Sequence, residues 1–498
     1  MEGDAHIVEK DIYNMKPYFL GIDIGTQGAR VVLVGADGVV VGSAGQVFEL
    51  NGQSREEQSP EGWWEACLSS IRALMEQDRV RAAAGAIRAV AVTSTSGTVI
   101  PVDGNHCPLH DALMYSDKRS VLQGERCTDA ALQYHNKGYT AFNSSSGLAK
   151  MVWFAETYPE KAARLHRWLH AADYITGRLS GVWGITDYTN AFKSGYDISD
   201  YCWPEWIFTH LPVRKEWLPG VLPSGAVIGT VRPELALQLG LPAGISVTTG
   251  ITDGCASQVA SGAINPGEWN TTIGTTMVIK GVTRNEVPDA SGRIYSHRHP
   301  AGYWMPGGAS NTGADWVTGE FGGELEVLNE AAFRLIPTGL VAWPLRQEGE
   351  RFPFIAPQAR GFAPEGLDRA LRYTASMEGV AYIERYAYQL IEQLSGETVA
   401  AIYTAGGASN SDAWLTIRAA VLNRPIYKMQ EVSGAMGAAI LAASTSFYDS
   451  VITAVKQMVK TDKTVLPSRP LVGAYEQGYR DFVGVLRDKG FIKEEIYA

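Results

Sequence analysis

Two stretches of this chain follow one plan. Tyr18 to Gly25 reads as a strand, Thr26-Gln27-Gly28 turns it, and Ala29 to Val34 runs back. Much later Glu268 to Ile273 reads as a strand, Gly274-Thr275-Thr276 turns it, and Met277 to Lys280 runs back. Identity between the copies is slight, so the repeat is one of pattern: a duplicated domain plan at a separation of about 250 residues. That limits the chain to two related halves, expected as domains 18–262 and 263–498. A cleft is expected between them, and clefts at domain interfaces are the usual place for small ligands. A length of 498 residues suits two such domains.

The segments between these landmarks alternate strand and helix, which makes the chain α/β. Residues 61–85 have helical spacing of Trp64, Cys67, Leu68, Ile71 and Leu74, after Pro60 and before Gly85. Ile87 to Thr93 is a β-branched run ending in Ser94-Thr95-Ser96-Gly97. Residues 121–180 look mainly helical. Ile245 to Thr249 is a strand followed by the glycine-flanked loop Gly250-Ile251-Thr252-Asp253-Gly254 and a helix over Cys255 to Ala263. Val399 to Thr404 leads through the small-residue loop Ala405 to Asn410 into a helix over Asp412 to Leu422. Ala435 to Ala443 suits a buried helix, and 471–489 a C-terminal helix, expected to pack back on the first domain.

Composition removes several function classes. A hydrophobic fraction of 45% with 19% charged residues is ordinary for a folded chain. A net charge of -10 argues against a broad basic nucleic-acid surface. No stretch approaches the ~20 apolar residues of a membrane span. Five cysteines without a C-x-x-C favour neither a disulfide framework nor a zinc knuckle. Residues 1–16 lack the apolar core of a secretory signal and read as a short lead-in. The expectation is a cytoplasmic protein, for which a homodimer is an open assembly. Glycine is in excess, at 53 residues. That calls for many tight turns and close backbone approaches.

Asp23-Ile24-Gly25-Thr26 places a carboxylate beside a tight turn at the end of a strand. A carboxylate there repels phosphates unless a divalent cation lies between. One reading is therefore Mg²⁺ at Asp23 with nucleotide phosphates on Gly25, Thr26 and the turn amides; the other is a hairpin whose Asp caps the turn. No G-x-x-x-x-G-K-[ST] occurs, so a P-loop is excluded. Asp253 can accept a proton from a hydroxyl attacking a phosphoryl group, or cap the helix after it. Gly274, Thr275 and Thr276 can hold phosphates or form a plain hairpin. Gly406-Gly407-Ala408 clears space for adenine or ribose, or serves close helix–strand packing. His297-Arg298-His299 could present two metal ligands, but no third is evident nearby.

These motifs in this order resemble the FGGY carbohydrate kinases of the actin/hexokinase/Hsp70 superfamily, over roughly residues 18–490. Asp23 to Thr26 and Gly274 to Thr276 are similar to the two phosphate motifs, Gly406 to Ala408 to the adenosine motif with Asn410 beside the base, and Asp253 falls on the catalytic Asp. Lys150-Met151-Val152-Trp153 is similar to the K-x-x-W signature, although Gly147 stands where Pro, Ser or Thr is usual. Asp173 to Gly181 is close to the usual segment there. The resemblance implies two duplicated ribonuclease H-like domains around a central cleft, with the sugar and the catalytic Asp on the first and the nucleotide on the second.

It further implies ATP-dependent phosphorylation of a sugar. Ser96-Gly97-Thr98-Val99, Thr252-Asp253-Gly254 and Gly307 to Gly313 look most like the D-ribulokinase-like branch, so the terminal hydroxyl of D-ribulose or D-xylulose is the expected acceptor. Gln27 stands where that branch often has Ser. L-ribulose, erythritol, glycerol, or a non-catalytic sensor on the same fold remain alternatives. Asp253 would be the base and Asp23 would hold Mg²⁺. Asp23, Ser96, Asp117 and Asp253 would face the sugar. Gly25, Thr26, Gly274, Thr275, Thr276, Gly406, Gly407 and Asn410 would face ATP. No nucleic-acid or membrane partner is expected.

Overall fold

The computed structural model describes residues 16–135 and 139–493; residues 1–15 of the expected lead-in lie outside them. The chain divides into two compact units. One holds residues up to Ala260 with Pro300–Gly302 and Glu431–Val459, and the other holds Ser261–His299, Tyr303–Gln430 and the chain from Lys460.

In the first unit the central sheet contains β1 (Tyr18–Ile24), β2 (Gly28–Gly35), β3 (Val40–Val47), β4 (Ile87–Ser94), β5 (Val227–Thr230), β6 (Ser246–Thr248) and β7 (Ile251–Thr252). β1 is a nearly continuous apolar run, with Phe19 to Ile22 all buried, because the sheet is covered on both faces. Its order runs β3-β2-β1-β4-β6-β5, with β7 also on β4. Along that order the pairings are antiparallel, antiparallel, parallel, parallel, antiparallel.

The sheet of the second unit contains β8 (Glu268–Ile273), β9 (Met277–Gly281), β10 (Tyr295–Arg298), β11 (Trp304–Ser310), β12 (Ala401–Ala405), β13 (Ile426–Met429) and β14 (Thr461–Val465). From β11 the order is β11-β9-β8-β12-β13-β14, and the pairings again run antiparallel, antiparallel, parallel, parallel, antiparallel. The duplication read from two turns thus extends to six of the seven strands in each sheet.

Local chemistry sets the elements around these sheets. The expected helix over 61–85 forms as Pro60–Met75, with Pro in its first turn and Ser59 Oγ accepting from Gly62 N–H at 3.2 Å, followed by a separate Asp78–Ala83. The mainly helical stretch 121–180 is interrupted by the strand Arg167–His170. In the second unit Arg418 and Glu384 form a fully buried two-pronged pair at 2.7 Å. Arg418 also donates to Thr404 Oγ1, and Thr404 donates to Thr271 O at 2.9 Å, stitching β12 to β8. Breaking one side of such a pair costs about 3–5 kcal/mol.

The chain crosses between units more often than a single boundary near residue 262 would allow. The helix Gly434–Ser446 belongs to the first unit, lying on β1, β4 and the helix Asp253–Ala260. The C-terminal helix Arg469–Asp488 instead stays in the second unit, where Tyr475, Phe482 and Leu486 are buried. Side-chain pattern explains the difference. Residues 434–444 are all buried, so that helix has no polar face to show water. Arg469–Asp488 buries one stripe and leaves the rest exposed. Small residues suit the first role: a Cβ at Gly437 would collide with Ala256 O.

Candidate active site

β1 and β4 are parallel, and β7 is parallel to β4, with Ile24 opposite Ser94 and Ser94 opposite Thr252. Asp23, Ser96 and Asp253 are therefore carried by three neighbouring strand ends. Ligands of open α/β sheets bind at the carboxyl ends of strands. Asp253 opens the helix Asp253–Ala260 directly, and its Oδ1 accepts Gly254 N–H at 2.7 Å. Burial, and then the charge of Asp253, push the Asp23 carboxyl up to about 6, with Arg30 acting the other way.

The backbone makes room for this crowded carboxylate. A Cβ at residue 434 would lie 2.6 Å from Asp23 Oδ2, so glycine admits Asp23 to the first turn of Gly434–Ser446. The positive end of the helix dipole favours an anion there. Ser433 caps the same turn, its Oγ accepting Met436 N–H at 3.2 Å.

Other expected site residues fall into two groups. Ser96 Oγ is buried with no hydrogen-bond partner among the described residues, so a ligand hydroxyl would satisfy it. Asp117 is differently placed: it is buried, and its carboxylate receives Arg119 Nε at 3.0 Å and Nη2 at 2.9 Å. Arg119 also reaches Glu57 at 2.7 Å and lies 4.4 Å over the Trp153 ring. Lys150 donates to Ser144 O, and burial pushes its ammonium down to about 7. Asp117 and the K-x-x-W helix are thus joined through Arg119.

Tyr115 was not evident from sequence. Burial and then the Asp253 charge raise its phenol, which places it in the field of that carboxylate. Its nearness in the chain to Asp117 was the only available signal.

In the second unit β8 and β12 are parallel, with Thr272 opposite Ala405, so the Gly274 and Gly406 loops leave adjacent strand ends. Gly406 has φ 88°, and a Cβ there would collide with Ile273 O. Gly407–Asn410 forms a single 3₁₀ turn, and Ser411 Oγ caps Asp412–Leu422 by accepting Trp414 N–H at 3.1 Å. Asn410 is exposed.

Both Gly-Thr turns close on themselves. Gly25 N–H donates to Gly28 O and Gly274 N–H to Thr276 O, each at 3.0 Å. These two amides are therefore engaged within their own turns.

Glu350 was not singled out from sequence either. It is buried and accepts Asn311 N–H at 2.7 Å, Ser310 Oγ at 2.8 Å and Thr312 Oγ1 at 2.8 Å. That segment holds the Gly274–Thr276 turn: Met277 N–H donates to Thr312 O at 2.8 Å and Ala314 N–H to Gly274 O at 2.7 Å. Behind it the Trp343 indole donates to Thr312 Oγ1 at 2.8 Å and that of Trp316 to Gly313 O at 2.9 Å. These two tryptophans also line a cavity of about 450 Å³ that none of the expected site residues touches. His297 and Arg298 end β10 and His299 follows it; Lys280 Nζ, on β9, donates to His297 Nδ1 at 2.9 Å.

Known proteins share this plan. The N-terminal domain of the FGGY family of carbohydrate kinases matches residues 18–260, and the C-terminal domain matches residues 269–446. A gluconokinase from Bacillus licheniformis is 25% identical, over 95% of this chain and 96% of its own length. A xylulose kinase from Staphylococcus epidermidis is 24% identical, over 95% of this chain and 97% of its own. A crystal structure titled "xyloylose kinase", from Brucella ovis, superposes with a TM-score of 0.85 at 24% identity, covering 95% of this chain and 99% of that one. With both family domains matched in order along its length, the chain belongs to the FGGY family of carbohydrate kinases.

Proposed function

We propose that this kinase transfers the γ-phosphoryl group of ATP to the terminal hydroxyl of a ketopentose, D-ribulose or D-xylulose. The observation that carries the proposal is the pair Asp23 and Asp253 on neighbouring strand ends, close enough for one to raise the pKa of the other. Two neighbouring carboxylates, one of them raised to about 6, suit divided roles. Asp253 takes the proton of the sugar hydroxyl as its oxygen bonds to the γ-phosphorus and the bond to ADP breaks. Ser96 Oγ, without a hydrogen-bond partner among the described residues, and the Tyr115 phenol in the field of Asp253 support contact with sugar hydroxyls. Asp117 acts on that side by fixing Arg119. Thr26, Thr275 and Thr276 hold phosphates, while Gly406, Gly407 and Asn410 face adenosine.

The donor set suits Mg²⁺. No group of three or more candidate ligands occurs among the described residues, and Mg²⁺ is characteristically held by one or two carboxylates with substrate phosphates. Asp23 would hold the ion, whose charge would offset that of the phosphates and relieve the crowding at Asp23. D-gluconate is a second candidate acceptor, given the gluconokinase among the relatives.

The test is ADP release with D-ribulose, D-xylulose, L-ribulose, glycerol, erythritol and D-gluconate. Highest kcat/KM with a ketopentose is the expected result. Preference for gluconate or a polyol overturns the substrate, and no acceptor-stimulated turnover across the panel favours a sensor.

A further inference from the structure

We infer that Thr189, clamped by the buried Asp187, is a positioning residue that fixes Asp253 through the backbone of Thr252. The inference rests on the reading of Asp253 as the base. Asp187, Thr189 and Thr252 are all buried. Among the described residues Asp187 receives neutral donors: Ser224 Oγ at 2.5 Å, Thr189 N–H at 2.9 Å, Thr189 Oγ1 at 2.8 Å, Asn190 Nδ2 at 2.6 Å and Asn190 N–H at 3.3 Å. Burial raises its pKa, and these hydrogen bonds act against that rise.

The proton inventory gives Thr189 one orientation. A hydroxyl has one hydrogen and two lone pairs. Its hydrogen goes to Asp187 Oδ2, so a lone pair is left for Thr252 N–H, which donates to Thr189 Oγ1 at 2.8 Å. Thr252 is the last residue of the two-residue strand β7, and Asp253 follows it. So short a strand holds its end weakly by ladder bonds alone. The tether comes from a segment 63 residues away in sequence, and it locates the peptide that carries Asp253. Capping the short helix Tyr188–Phe192 accounts for the two amide bonds to Asp187. It does not account for the hydroxyl relay to Thr252.

Thr189→Val keeps the shape and removes both hydrogen bonds; Thr189→Ser keeps the hydroxyl. Steady-state kinetics with ATP and the best acceptor of the panel would be run on both, beside Asp253→Asn and with thermal midpoints. The expected result for Thr189→Val is a kcat lower by roughly 10–100-fold, since small misplacements of a reacting group cost that much. KM for ATP should stay within about twofold of wild type, and Thr189→Ser should restore kcat. Wild-type kcat in Thr189→Val, with Asp253→Asn inactive, overturns the positioning role alone. Equal loss in Thr189→Ser assigns the effect to packing and also overturns it. An active Asp253→Asn overturns the base assignment and this inference with it. Should Thr189→Val not fold, Thr189→Ala is read by the same criteria.

Discussion

Asp23 is harder to ionise in the folded protein than in the unfolded chain. Its pKa stands at about 6 against an ordinary 3.8. The unfolded state therefore releases its proton first as pH rises. On this account the ligand-free fold is favoured below about pH 4 and loses that contribution as pH climbs through 6. Asp23→Asn removes the ionisation. The ligand-free variant should be more stable than wild type at pH 7.5, by on the order of 1–3 kcal/mol, with the gain vanishing near pH 4. Thermal midpoints across that range check this, and a less stable variant at pH 7.5 would contradict it. Phosphoryl transfer should be lost in the same variant. Strain of this kind marks functional sites, where stability is given up for charge placement. Asp23 and Asp253 could be singled out from the sequence, because each stands at the end of a strand-like run within two residues of a glycine. Tyr115 and Thr189 could not, since no local pattern says which side chain a distant strand end will meet.

At the scale of elements, the Gly274–Thr276 turn, proposed to hold phosphate, is fixed through Thr312 and Ala314. Glu350 fixes Ser310 to Thr312, and those residues hold the turn through Met277 and Ala314. Every bond to Glu350 here is one it accepts. Glu350→Gln turns one acceptor into a donor facing other donors, a loss of about 1–3 kcal/mol. KM for ATP should rise about tenfold while KM for the sugar stays unchanged, as measured by steady-state kinetics; equal changes in both would contradict the link to the phosphate turn. Sequence periodicity located β1, β4, β8 and the helix Asp412–Leu422 because burial on both faces or capping by a hydroxyl leaves a local mark. It did not locate the crossing of Gly434–Ser446 to the first unit. An all-apolar helix announces that it will be buried, but not against what.

The whole molecule is two copies of one strand-pairing order, each carrying Gly-Thr turns at the ends of its central strands. A chain of net charge -10 gains no general attraction for ATP; on the proposed reading hydroxyls, amides and a cation at Asp23 would supply it locally. Many of the 53 glycines fall where they make such approaches possible, as Gly434 does for Asp23. The central claim is that these parts serve sugar phosphorylation with Asp253 as base. The most direct test is Asp253→Asn, comparing kcat for ADP release with the dissociation constant of the preferred sugar measured by calorimetry. The account predicts a kcat lower by at least about 10²–10⁴-fold with sugar affinity within a few-fold of wild type. A variant that turns over at near the wild-type rate would contradict it.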